Sequence, residues 1–338
     1  MKIGILTHPQ GINYGGILQG YALYTVLKKM GHEPIIIQRG LNKQFFIWEC
    51  IRAILRFLHF PRYYSHSTQI SEISHFFDKY LKRTKLIRSY GQMRRVCHRY
   101  NLDAVIVGSD QVWRTDFAMK YGYNYFLDFV PDHIIKVSYA ASFGLSEWGY
   151  SSAQTRIIKG LLSRFKGISV REDSGVMMCQ EHLGIKPELL LDPTMLLDSS
   201  DYDQITTHRI LEDKYVFVYW LGDVTNIEKD VEHYKTLGYN VVLVSLRTDT
   251  KLPSVESWLS YIKYADIVLT DSFHGCIFSI LFNKTFKIYN NKSGGFSRLE
   301  TLIKNIDCNY TDNGFIHQSF LSDTLKTKSY NFLISNFK

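Results

Sequence analysis

Residues 269–279 read LTDSFHGCIFS, and this stretch places chemistry at a structural seam. ADIVLT has the pattern of a buried strand, Asp271 and Ser272 are good helix caps, and CIFSILF has helix length with Asn283 to stop it. His274 therefore falls in a first helical turn at a strand's carboxyl end, where free N–H groups and the helix dipole favour an anion. A histidine there suits a phosphate ligand or a general acid. Most single histidines are structural, so position and not residue type distinguishes this one among twelve.

Ligands of open α/β sheets bind beyond the carboxyl ends of the strands, and three more stretches end a strand with polar residues. In VGSDQVW, Asp110 could accept a proton from a sugar hydroxyl or cap the next helix. In SVRED, Arg171 could fork onto a phosphate or carboxylate, or pair with Glu172 or Asp173. In HPQGINYGGILQG, Gly15 and Gly16 precede a helix and could admit an anion to backbone N–H groups, or make a tight turn. Arg298 in GGFSRLE follows the next strand and a glycine pair, at another helix start, and could converge on the same cleft.

Several chemistries lack their residues. No clustered His/Cys/Asp spacing indicates a metal, the DYD at 201–203 is isolated, and there is no G-x-S-x-G nucleophile elbow. Cys276 sits in an apolar helix and reads as core. The five cysteines are scattered without a C-x-x-C pair, which argues against disulfides or structural zinc and for a reducing compartment. No long uncharged apolar run or signal-peptide pattern is present, so the expected location is cytoplasmic. The net charge of +8 favours an anionic partner: a phosphorylated substrate, an acidic membrane surface or nucleic acid. The basic residues read as dispersed, which places nucleic acid last.

The elements that would carry these residues alternate strand and helix. KIGILT, a helix with Leu18, Ala22 and Val26 on one face, and PIIIQ open a doubly wound sheet continued by DAVIVG, KVSYAAS, GISVR and ELLLD. The pattern restarts with YVFVYWLG, NVVLVSL, DIVLT and TFKIYN. The expected organisation is α/β: two Rossmann-like domains, residues 1–198 and 199–317, with a C-terminal helix over 318–338 rejoining the first. A helical insert spans about 41–100. Within it, QFFIWECIRAILRFLHFPRYY would set a narrow stripe of Glu49, Arg52, Arg56 and His59 against a broad apolar face. Such a helix lies on a membrane surface or packs across a neighbour.

NYGGILQGYAL, VGSDQVW, SYAASFG, SVRED, LLLDPTMLL and LTDSFHGCIFSILF, in that order across most of the chain, resemble the polysaccharide pyruvyl transferase family. The resemblance implies a fold like that of the GT-B glycosyltransferases, with the active site in the interdomain cleft. It also implies transfer of a pyruvyl group from phosphoenolpyruvate to a sugar as a cyclic ketal, without a metal or a redox cofactor. By motif, His274 and Arg171 correspond to family donor-site residues, and Arg298 to a later basic position; Gly16 stands where the family usually has alanine. The expected roles are His274 as acid or phosphate ligand, Arg171 and Arg298 as an anion clamp, and Asp110 as base. Asn13, Gly15, Gly16 and Ser272 are expected substrate contacts. The expected acceptor is a hexose of a polyprenyl-diphosphate-linked oligosaccharide for capsule or exopolysaccharide, met at the inner face of the membrane. A nucleotide-sugar glycosyltransferase and a non-catalytic member of an envelope-assembly complex are the alternatives.

Overall fold

A computed structural model describes residues 1–8, 13–40, 75–245, 252–289, 296–310 and 314–338. The apolar insert sequence, with Phe46, Trp48, Arg52 and Arg56, lies outside the described residues.

The first half builds one six-stranded parallel sheet. Its strands are β1 (Lys2–Leu6), β2 (Glu33–Ile36), β3 (Ala104–Val107), β4 (Ile135–Ala141), β5 (Gly167–Val170) and β6 (Glu188–Leu189), in spatial order β2-β1-β3-β4-β5-β6. Ala104–Val107 is buried at every residue, as a strand covered by helices on both faces must be. The covering helices include α1 (Tyr14–Lys29), α2 (Tyr90–Tyr100), α3 (Ser152–Leu162) and the short α4 (Asp173–Met178). Chain direction across the sheet reverses between β1 and β3, so the switch-point crevice opens there.

The second half repeats the plan with β7 (Tyr215–Trp220), β8 (Asn240–Ser245), β9 (Ile267–Thr270) and β10 (Thr285–Ile288), all parallel. Helices α5 (Glu228–Thr236), α6 (Val255–Tyr264), α7 (Phe273–Leu281) and α8 (Phe296–Lys304) accompany them. An antiparallel pair, β11 (Ile306–Tyr310) and β12 (Phe315–Leu321), extends the edge in the order β11-β12-β10-β9-β7-β8. Residues 318–321 thus belong to a strand, and the last helix, α9 (Asp323–Asn336), starts later than the sequence pattern indicates. It packs on the first sheet: Ser329 Oγ accepts from the Leu191 amide at 3.1 Å, Tyr330 donates to the Leu196 carbonyl at 2.7 Å, and Lys166 donates to the Asn336 carbonyl at 2.9 Å.

The halves share an apolar core that runs from β1 and α1 into α6 and α7. Tyr14 carries much of the junction. Its ring stacks on Trp258 with centroids 5.0 Å apart, and its hydroxyl donates to the Pro253 carbonyl at 2.6 Å. Such an aromatic pair adds about 1 kcal/mol beyond the area it buries.

Candidate functional site

The carboxyl ends of the two sheets meet around Arg171, which follows β5. Its Nη1 donates to Asp192 Oδ2 at 2.6 Å and its Nη2 to Asp110 Oδ1 at 2.9 Å. Glu172 Oε2 lies 3.9 Å from Nε, and the guanidinium sits 4.9 Å from the Phe273 ring centroid. Burial opposes the charge, but Asp110 and Asp192 more than restore it, and the pKa lies above the usual arginine value. Arg171 is thus ion-paired mainly with Asp110 and Asp192 rather than with Glu172 or Asp173. Both terminal nitrogens are committed, so only Nε is left without a hydrogen-bond partner.

Asp192, at the end of the β6 segment, binds the cluster together. It is buried, accepts from Arg171 and from Ser109 Oγ (3.0 Å), and takes the Thr194 amide (3.1 Å) and hydroxyl (2.7 Å) on its other oxygen. His274 Nε2 stands 3.7 Å from Asp192 Oδ2, within ion-pair reach and too long for a hydrogen bond. Burial would raise the Asp192 pKa; His274, Arg171 and Thr194 overcome it and hold the group ionised far below the ordinary range.

His274 lies in the first turn of α7, where Ser272 caps the helix by accepting from the Gly275 amide at 3.3 Å. Asp271 instead accepts from the Leu221 and Gly222 amides, both at 2.7 Å, and so ties the end of β9 to the end of β7. The imidazole presses on the N-terminus of α1: a Cβ on Gly15 would come within 2.0 Å of Nδ1. Gly15 is therefore required for close approach, and Asn13 caps α1 by accepting from the Gly15 amide at 3.0 Å. A Cβ on Gly16 would meet Asp110 Oδ2 at 3.3 Å, a tight but absorbable contact.

Asp110 adopts φ +66°, a left-handed conformation that non-glycine residues seldom hold, two residues after Gly108 at φ +118°. The turn lets Oδ1 reach Arg171, while Oδ2 has no hydrogen-bond partner among the described residues. Burial pushes its pKa up, but Arg171 and then His8, His274 and Arg298 bring it down to about 2. A carboxylate held that firmly is a good hydrogen-bond acceptor and a weak base.

A cavity of about 430 Å³ opens beside this cluster, lined by His8, Asn13, Gly16, Asp110, Arg114 and Lys120 among others. The His8 ring meets Phe117 and Tyr125 edge-on, its Nε2 has no hydrogen-bond partner, and burial lowers its pKa although Asp110 counteracts this. On the opposite wall of the Arg171 cluster, Arg298 lies 5.8 Å from the Phe273 centroid. It makes no hydrogen bond or ion pair among the described residues, and its Nε is buried without a partner. Burial first, then repulsion from Arg171, lowers its pKa to about 10. An unpaired guanidinium in such a place is costly unless an anion comes to it.

The structure brings His274, Arg171, Asp110, Gly15, Gly16 and Arg298 into one neighbourhood, and Asn13 and Ser272, expected as substrate contacts, are helix caps at its edge. Sequence reasoning passes over Asp192, although LLLD ends a strand by the same rule that selects Asp110. His8 also lies just beyond a strand and carries the same positional signal.

Two parallel-dominated α/β halves facing each other across such a cluster define the GT-B fold class. Among solved structures, a putative UDP-N-acetylglucosamine 2-epimerase from Listeria monocytogenes is similar at TM-score 0.53 and 10% identity, over 90% of this chain and 82% of that one. The UDP-GlcNAc 2-epimerase of Methanocaldococcus jannaschii is similar at 0.51 and 11%, over 99% and 100%. A Streptomyces sp. SF2575 glycosyltransferase aligns at 0.39 and 11%, over 90% and 86%. At these identities the likeness to the two epimerases shows a shared fold alone. The polysaccharide pyruvyl transferase family model matches residues 13–293, and the chain belongs to that family. None of the curated proteins matches it significantly.

Proposed function

We propose that the protein transfers a pyruvyl group from phosphoenolpyruvate to a hexose of a polyprenyl-diphosphate-linked oligosaccharide, forming a cyclic ketal for capsule or exopolysaccharide. The observation that carries this reading is Arg298, a guanidinium with a buried, unpartnered Nε beside His274 and Arg171. A small, highly charged anion answers it. Arg171, neutralised by two carboxylates, orients Asp110 and Asp192 and offers the donor only its Nε edge.

The reaction needs no redox cofactor. A proton adds to the donor's methylene carbon, making the methyl group, and one sugar hydroxyl oxygen bonds to the adjacent carbon as that hydroxyl gives up its proton. The carbon–oxygen bond to phosphate then breaks, and a second hydroxyl oxygen takes its place. The second hydroxyl proton leaves with the phosphate, so two hydroxyl protons end on the methyl group and on phosphate. His274, adjacent to ionised Asp192, can hold a proton as the acid or meet the phosphate as imidazolium. Asp110 Oδ2 orients an acceptor hydroxyl, and His8 is the neutral base lining the same cavity.

A nucleotide-sugar glycosyltransferase would use the same fold, but would need a carboxylate in the second half to hold ribose. Asp271, the buried candidate at the end of β9, is occupied by the Leu221 and Gly222 amides. The acceptor assignment carries a peripheral membrane location with it; among the described residues no helix is long and apolar enough to cross a membrane. The test is thermal stabilisation: phosphoenolpyruvate raises Tm by mass action in the wild type and not in Arg298→Gln. Stabilisation by a UDP-sugar with none by phosphoenolpyruvate overturns the assignment.

A further inference from the structure

The basic surplus is not dispersed. Between Lys79 and Leu102 the sequence holds eight Lys and Arg and no Asp or Glu, so this stretch alone accounts for the net +8, and the remainder of the chain balances at 32 of each sign. The expectation of scattered basic residues is corrected here. These cations form no consecutive run, because they are spaced over an extended segment and one helix.

The fold gathers half of them around a single cavity. The segment leading to α2 bridges to the edge beyond β2 through Arg39 and Ile87, and α2 turns Met93, Val96 and Cys97 into the core. That leaves Arg94, Arg95, His98 and Arg99 outward, and with Lys85 they line a cavity of about 560 Å³ that has no acidic residue among the described residues of its wall. Lys85, Arg94, Arg95 and Arg99 make no ion pair among the described residues. Arg95 and Arg99 stand one helical turn apart, a spacing at which like charges repel. Leu86, in the cavity wall, is 47% exposed, and Tyr90, at the start of α2, is 45% exposed.

From this we infer that the face of α2 and residues 85–90 is a docking surface for anionic phospholipid membranes, with a headgroup phosphate seated in the cavity. Unopposed arginines answer the phosphates, and Leu86 and Tyr90 supply apolar anchorage at the interface. The exposed leucine favours a membrane over nucleic acid, whose binding draws on base-edge and stacking contacts. The inference does not rest on the donor-site reading, because none of these residues borders the His274 cluster.

Co-sedimentation with vesicles tests it. The full chain is expected to bind phosphatidylcholine vesicles containing phosphatidylglycerol, to ignore phosphatidylcholine alone, and to release as salt rises. Arg94→Gln/Arg95→Gln/Arg99→Gln should weaken partitioning roughly a hundredfold, on the order of a fivefold loss per cation at an anionic surface. Its Tm should be unchanged. Arg156→Gln/Lys159→Gln on α3, also exposed cations, should bind nearly as the wild type. Equal losses in both variants, retained binding in the triple variant, or tighter binding of an RNA oligonucleotide through the same arginines would each overturn the assignment. Vesicle binding with no pyruvyl transfer would leave this surface standing and remove only the proposed reaction.

Discussion

Gly15→Ala tests how closely the halves must approach. The added Cβ would lie 2.0 Å from His274 Nδ1 and 2.3 Å from its Cγ, distances that side chains do not sustain. Either α1 retreats or the imidazole swings away from Asp192, and both disturb the site. Overpacking of this kind costs about 1–3 kcal/mol, and displacing a catalytic group by about 1 Å costs roughly a hundredfold in turnover. Gly16→Ala is the internal control: its Cβ would meet Asp110 Oδ2 at 3.3 Å, so a shift of a few tenths of an ångström suffices. Thermal melts and phosphoenolpyruvate-dependent phosphate release should therefore rank wild type, Gly16→Ala and Gly15→Ala in descending order, with the large gap at Gly15. A Gly15→Ala protein with wild-type stability and turnover would refute the close packing of His274 on α1.

Three further outcomes follow from the charge cluster. Arg298→Gln should lose about a hundredfold in phosphoenolpyruvate affinity while melting at or above the wild-type temperature, because an unpaired charge is removed; isothermal titration and melting curves check both. Arg171→Met should unfold about 3–5 kcal/mol more easily in urea, since Asp110 and Asp192 are left uncompensated, and Arg171→Lys should recover only part of that loss. Asp110 has a folded pKa of about 2, below its unfolded value, so its contribution of about 2 kcal/mol is present above the ordinary carboxylate range and lost as pH falls toward 2. Urea melts between pH 5 and about pH 2 should show a shallower fall in Asp110→Asn than in the wild type.

Strand-end residues were legible in the sequence because parallel strands buried on both faces write continuous apolar runs, and the next polar residue then lies at the binding edge. AVIV before Gly108 and IVLT before Asp271 are of this kind. Which polar residue pairs with which was not legible. Arg171 bonds Asp110 and Asp192 across sequence gaps of 61 and 21 residues, and only the tertiary fold sets those distances. The antiparallel β11 and β12 were also missed, because Phe315–Leu321 mixes apolar and polar residues at an edge. Tyr14 on Trp258 is a contact between halves that no local pattern announces.

The central claim is the transfer itself. Purified protein is incubated with phosphoenolpyruvate and a set of polyprenyl-diphosphate-linked oligosaccharides, and the lipid-linked product is weighed by mass spectrometry while released phosphate is counted. The account predicts one added pyruvyl ketal per phosphate released, lost in His274→Asn and, at limiting phosphoenolpyruvate, reduced about a hundredfold in Arg298→Gln. Glycosyl transfer from a nucleotide sugar, with phosphoenolpyruvate left intact, would contradict it.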